Sequence, residues 1–181
     1  MDGDVLTLAG LWNSGPQHWQ SQWEARHPAW RRVEHRDWNN PARDEWVAEL
    51  DAAVASCAGA PVLVAHSLGC MLAAHWAASG SPLLAAGAFL VAPSDVDAAS
   101  YPIDANGFAP VPMARLPFPS LVVASTDDQF VTRERAQAFA RAWGSGYVEI
   151  GAAGHVNADA GYGDWPEGER LLLEFLEQVR T

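Results

Sequence analysis

Cysteine is scarce in this chain: Cys57 and Cys70 are the whole complement of 181 residues, and they form no C-x-x-C pair. A disulfide-stapled secreted scaffold and a cysteine-rich metal site are both excluded, and two reduced, buried thiols in a cytoplasmic protein are expected. Basic residues are also few, 11 against 22 acidic ones, for a net charge of −11. Such a surface repels nucleic acid and anionic membranes, and no basic stripe offsets it, so neither is expected as a partner. No apolar run approaches the roughly 18–20 residues of a membrane span. The start, MDGD, is too polar for a secretory signal. His18, His27, His35 and His75 have no metal-ligand spacing and no HExxH occurs, so no metal or other cofactor is expected. Linkers, repeats and low-complexity tracts are absent, which leaves one domain over 1–181.

What the chain does have is apolar substance, 49% hydrophobic residues with nine tryptophans, most of which belong in a core. Its most informative stretch is PVLVAHSLGCMLA, Pro61–Ala73. Val62–Ala65 reads as a strand buried on both faces, and Leu68 onward favours helix. Between them Ala65-x-Ser67-x-Gly69 approximates the G-x-S-x-G turn that presents a nucleophilic serine. A tight strand-to-helix turn lifts the Ser67 hydroxyl clear of the backbone and aims the Leu68 N–H where an oxyanion forms. Ala65 departs from the usual first glycine by one methyl, a small steric load. A bare x-S-x-G also describes any buried serine at a strand end; the strand before it and the helix after it favour the nucleophile.

Strands and helices alternate along the rest of the chain, which argues for a parallel, doubly wound sheet. Val5–Ala9 is a first strand, followed by a loop with two glycines and a proline and a short helix over 18–26. Trp30–Trp38 is a charged, weaker candidate suited to an edge. A helix runs from Pro41 through Cys57, and the helix after Ser67 reaches Ser79. Leu83–Ala92 and Leu121–Ser125 are further strands, separated by the proline-rich loop Pro93–Pro119 with room for one helical turn. A helix over 132–143, a strand over 147–150 and a closing helix Pro166–Val179 complete the pattern.

A serine needs a base, and the base needs an orienting acid. Asp127 and Asp128 follow the fifth strand and His155 follows the sixth, so with Ser67 all three sit at carboxyl ends of parallel strands, where such sheets place their sites. His155 is flanked by glycine on its amino side, in Gly151-Ala-Ala-Gly154, which permits a turn over the sheet. Each residue has a plainer reading: a surface-loop histidine, and paired aspartates that start a turn. Asp95, after the fourth strand, competes for the role of acid. His66 is read as structural, its neighbouring position turning it away from Ser67.

Four stretches together resemble the small single-domain α/β-hydrolases related to retinoblastoma-binding protein 9. They are Gly10-Leu-Trp-Asn-Ser-Gly-Pro-Gln-His18-Trp19, His66-Ser67-Leu68-Gly69, Ser125-Thr126-Asp127-Asp128 and Gly154-His155. The resemblance implies a shortened α/β-hydrolase sheet of order 2-1-3-4-5-6, helices on both faces, and the Gly10 loop beside Ser67. It implies Ser67 as nucleophile, His155 as base, Asp128 as acid, and an oxyanion hole from the Leu11 and Leu68 amides. The run Asp128-Gln-Phe-Val131 agrees with a D-x-x-V pattern after the acid strand. No protein-binding role carries over, since the chain has no L-x-C-x-E sequence. The loop over 93–119 is too short for a cap domain, so an open site is expected, walled by Trp12, Tyr101 and Phe108. A serine hydrolase of small carboxylic esters follows, with a small-molecule acyl substrate. An amidase or peptidase using the same residues is the close rival, and a protein-binding module on the hydrolase fold the distant one. Labelling by a fluorophosphonate, which requires an activated serine, separates the enzyme from the module.

Overall fold

The computed structural model describes residues 4–102 and 105–179. The polar start, residues 103 and 104 of the proline-rich loop, and the last two residues lie outside that range. Six parallel strands form one open sheet: β1 (Val5–Leu8), β2 (Arg31–Arg32), β3 (Val62–His66), β4 (Gly87–Val91), β5 (Ser120–Ala124) and β6 (Gly146–Glu149). Their order is β2-β1-β3-β4-β5-β6, an α/β-hydrolase arrangement in shortened form. Among the described residues there are five helices, α1 (Trp19–Arg26), α2 (Arg43–Ala55), α3 (Leu68–Ala78), α4 (Arg133–Trp143) and α5 (Pro166–Val179).

The two-residue alternation of each strand sends side chains to opposite faces, and both faces are covered. On one, Leu6, Leu8, Leu63, Ala65, Leu90 and Val122 meet Trp46 and Leu50 of α2, Met71 and Leu72 of α3, and Phe139 of α4. On the other, Val5, Val62, Val64, Phe89 and Val123 meet Trp19 and Trp23 of α1 and Leu172, Phe175 and Leu176 of α5. Seven of the nine tryptophans are buried; Trp38 is partly covered and Trp12 is exposed. Cys70 is buried, but Cys57 is only half-buried beside the Arg31 guanidinium, a correction to the expectation of two buried thiols.

β3 lies between β1 and β4 and is buried at every position, as its apolar run implies. α3 follows without a linker, and its first nine residues are all buried, which explains a helix apolar around its whole circumference. Two strands are shorter than the sequence implies. Trp30–Trp38 contributes only β2, because Arg32 is drawn to Glu24 and to the Ser14 carbonyl, while His35 stacks on Trp46 at 3.8 Å. Those contacts pull the chain from the sheet after Val33, whose N–H donates to the Thr7 carbonyl. Leu83–Ala92 becomes a strand only from Gly87: Leu84 stands exposed, and Gly87 is where α5 presses on the sheet, a Cβ there lying 3.1 Å from both Phe175 and Val179. His18 caps α1 rather than opening it, its Nδ1 accepting from the Gln20 N–H at 3.2 Å. The loop over 93–119 holds two successive hydrogen-bonded turns, the Ala98 N–H donating to the Asp95 carbonyl and the Tyr101 N–H to that of Ala98, but no helix among the described residues. No helix among them is long and apolar enough to cross a membrane.

The junction of β1, β3 and α3 is the tightest point. A Cβ on Gly69 would lie 2.3 Å from the Leu8 carbonyl oxygen, and one on Gly10 would lie 2.8 Å from the Ser67 Cβ. Neither obstacle is a flexible side-chain end, so backbone must move. Gly69→Ala is therefore expected to destabilise the protein by about 3 kcal/mol, at the upper end of the usual cost of overpacking. Thermal melting checks this; a variant that melts with the wild type would show that α3 can slide away from β1 freely.

Candidate active site

Ser67 stands at the end of β3 with φ 57° and ψ −121°, a backbone conformation that L residues avoid. The turn is held from both sides: the Ser67 N–H donates to the Val91 carbonyl at 3.1 Å, and its carbonyl accepts from the Cys70 N–H at 3.0 Å. The side chain is thrown outward from the sheet, and its Oγ is 2.8 Å from Nε2 of His155. Nδ1 of His155 faces both carboxylate oxygens of Asp128, at 2.9 and 2.8 Å, and the Asp128 side chain is wholly buried.

The loop that carries His155 is pinned at four points. Ser125 Oγ accepts from the Ala153 N–H at 2.9 Å, and Asp127 accepts from the Gly154 N–H at 2.8 Å. His66 Nε2 donates to the His155 carbonyl at 2.8 Å, and Trp19 Nε1 donates to the Val156 carbonyl at 2.9 Å. The adjacent aspartates thus divide their work. Asp128 reaches the imidazole, whereas Asp127 holds loop backbone and the Ser125 hydroxyl, which lowers its own pKa. Asp95 is engaged elsewhere, in a two-point pair with Arg135 at 2.9 and 2.8 Å.

The Gly10 loop lies against the turn, because Gly10 permits it to approach the Ser67 Cβ and the Leu68 amide. Buried Gln20 ties this corner together, donating to the Leu8 and Val64 carbonyls at 3.1 Å each and accepting from Ser14 Oγ at 2.7 Å. A cavity of about 350 Å³ opens above Ser67, bounded by Leu11, Trp12, Tyr101, Phe130, His155 and Asn157. Trp12 and Tyr101 therefore line it as the sequence reading expects, but Phe108 does not. Phe108 is fully buried, edge-on to Trp46 and His75, with its carbonyl 2.8 Å from His75 Nε2. Its place on the wall is taken by Phe130, whose ring lies 4.6 Å from that of His155.

Three further residues stand beside the site. His66, read as structural, borders the cavity as well as bracing the loop. His18 joins it, the two rings 4.7 Å apart and inclined at 64°. Ser94, fully buried after β4, has its Oγ 2.6 Å from that of Ser67. The signal for Ser94 lay in the register: β4 adjoins β3, so a residue just past β4 sits beside the turn. Among the described residues no cluster of His, Cys, Asp and Glu could hold a metal.

The model of the serine hydrolase family matches residues 5–174, and the chain belongs to that family. A protein described as a YdeN-like hydrolase, from Pectobacterium atrosepticum, is 34% identical and superposes with a TM-score of 0.86, over 98% of this chain and 92% of that one. The ydeN gene product of B. subtilis shares the fold at 20% identity and a TM-score of 0.80, over 97% and 100% of the two chains. A thermophilic esterase from Thermogutta terrifontis does so at 18% and 0.73, over 100% and 92%. No curated relative matches the sequence.

Burial, with Arg32 nearby, lowers His18 from 6.5 to about 3, and burial also places His66 well below its ordinary value. Burial lowers His35 and His75 as well. Unfolding lets all four take up protons near 6.5 more readily than the folded state does, His18 and His66 most of all. Their effect on stability is therefore absent above pH 6.5 and grows as pH falls below it, each group costing up to about 1.4 kcal/mol per pH unit. The melting temperature should drop from pH 7 to pH 5, before carboxylates titrate, and His18→Gln should make that drop shallower. A melting temperature constant over this range would contradict the account.

Proposed function

We propose that this serine hydrolase cleaves small carboxylic esters through an acyl-enzyme on Ser67, with His155 as base and Asp128 as its orienting acid. The observation that carries the reading is the unbroken line from Ser67 Oγ through His155 to Asp128, with 2.8 Å at each end. Asp128 fixes the proton on Nδ1 and leaves the Nε2 lone pair facing the serine hydroxyl. In acylation Ser67 Oγ attacks the ester carbon and its proton passes to Nε2. The carbonyl electrons move onto oxygen, where the amides of Leu68 and Leu11 would receive the charge; in support, Gly10, the residue before Leu11, stands close against the Leu68 N–H. Collapse expels the alcohol, which takes the proton from His155. Water then gives a proton to His155, attacks the acyl carbon and releases the acid, and Ser67 recovers its proton.

Supports for an ester substrate are the open cavity of about 350 Å³ and the name of the Thermogutta terrifontis protein, an esterase. Trp12, more than half exposed, together with Tyr101 and Phe130, suits a short acyl group. The narrower kinship with proteins related to retinoblastoma-binding protein 9 belongs to this reading too, and rests on the shared loop, turn and acid motifs.

Purified protein is expected to hydrolyse p-nitrophenyl acetate to hexanoate faster than dodecanoate. Ser67→Ala should remove about 10⁶ of kcat without unfolding the chain. Asp128→Asn should cost at least about a hundredfold, given about 10⁴ in a known triad. In the same assay Asp127→Asn and Asp95→Asn should each cost less than about tenfold, their carboxylates being committed to loop backbone and to Arg135. Retention of a tenth of the turnover by Ser67→Ala would refute the mechanism; a large loss confined to Asp95→Asn would refute the assignment of the acid.

A further inference from the structure

We propose that Ser94 is a fourth catalytic residue, whose hydroxyl donates to Ser67 Oγ and carries part of the charge that gathers there whenever the bond to the acyl carbon forms or breaks. The inference rests on Ser67 as the nucleophile and adds a group that the three-residue arrangement does not contain.

Counting protons fixes the direction of the contact. Neutral imidazole has one N–H, and Asp128, with both oxygens within 2.9 Å of Nδ1, claims it. Nε2 is then an acceptor, so Ser67 spends its only proton on the 2.8 Å bond to His155. Between the two hydroxyls, 2.6 Å apart, the proton must therefore come from Ser94. Ser94 is fully buried and Ser67 nearly so, so water does not compete for this bond. The position is fixed by backbone: Asp95, the next residue, donates its N–H to the Phe130 carbonyl at 2.9 Å and is clamped by Arg135. Tyr101 covers the same corner; burial pushes its phenol up to about 12, outweighing a smaller opposite contribution from the Ser94 hydroxyl, so it stays protonated there.

As Oγ attacks, the Ser67 proton goes to His155 while the Ser94 proton stays on Ser94. The Ser94 hydrogen bond strengthens as negative charge grows on Oγ and weakens once Oγ has become an ester oxygen. In deacylation Oγ departs with the bonding pair and takes a proton from His155, and the same hydrogen bond strengthens again. A contact stronger in the transition state than in either ground state raises kcat and leaves KM alone.

The test compares wild type, Ser94→Ala and Ser94→Cys, the last retaining volume with only a weak donor. The readouts are melting temperature, the second-order rate of labelling by a fluorophosphonate probe, and the kcat and KM of p-nitrophenyl butyrate. Both variants should label about tenfold more slowly, the weight of one hydrogen bond to a charged atom. Their kcat should fall in parallel with KM within about twofold, and the pH dependence of labelling should keep its shape because His155 remains the base. A variant with native melting behaviour that labels within twofold of wild type overturns the proposal, as does a loss expressed in KM alone. If the wild type is labelled but cleaves no ester, the ester reading falls and the labelling rates alone decide Ser94. If it is not labelled, both fall.

Discussion

Everything in this molecule that bears on chemistry depends on one strained backbone position, Ser67 at φ 57° between β3 and α3. Such a conformation costs on the order of 1–3 kcal/mol. The surrounding burial exceeds it: Val62, Leu63 and Val64 alone, each fully covered, contribute about 1.5–3 kcal/mol apiece. The strain persists because no relaxed alternative keeps β3 in the ladder between β1 and β4 and α3 in the core. Two missing side chains complete the constraint. Gly69 lets α3 begin against the Leu8 carbonyl, and Gly10 lets the first loop reach the serine.

Around this fixed point, the remaining groups are brought in by loops that are themselves tied down. The His155 loop hangs from β5 through Ser125 and Asp127, from β3 through His66, and from α1 through Trp19. Three separate elements thus determine where one imidazole lies, which explains how a histidine in a glycine-rich segment can hold a 2.8 Å contact. The buried neutral histidines follow from the same crowding. His66 braces the loop through its Nε2–H while burial disfavours the charged ring, and that burial ties the architecture of the site to acid sensitivity of the fold.

What was legible in the sequence was what short-range physics writes there. The apolar run of β3, the amphipathic face of α5 and the residues at strand ends indicated the sheet and put Ser67, the Asp127–Asp128 pair and His155 at strand ends, while the choice of Asp128 came from the family resemblance. Less legible were features decided across the fold. The polar alternation of 30–38 looks like an edge strand, yet Arg32 and His35 find stronger partners in Glu24 and Trp46. Phe108 stands in a proline-rich loop that looks exposed, but it fills the space between α2 and α3 beside Trp46 and His75. Ser94 was overshadowed by Asp95, since a carboxylate after a strand attracts notice and a serine does not. Only the register of β4 against β3 places its hydroxyl on the nucleophile.

The central claim, that this strained serine is the atom that bonds to substrate, is tested most directly by trapping the intermediate. Enzyme mixed with excess p-nitrophenyl butyrate, quenched in acid within its first turnovers and digested, is read by peptide mass spectrometry. The account predicts a gain of one butyryl group on the peptide containing Ser67, at that residue. A butyryl group found elsewhere, or turnover with no covalent adduct on Ser67 at any quench time, would contradict it.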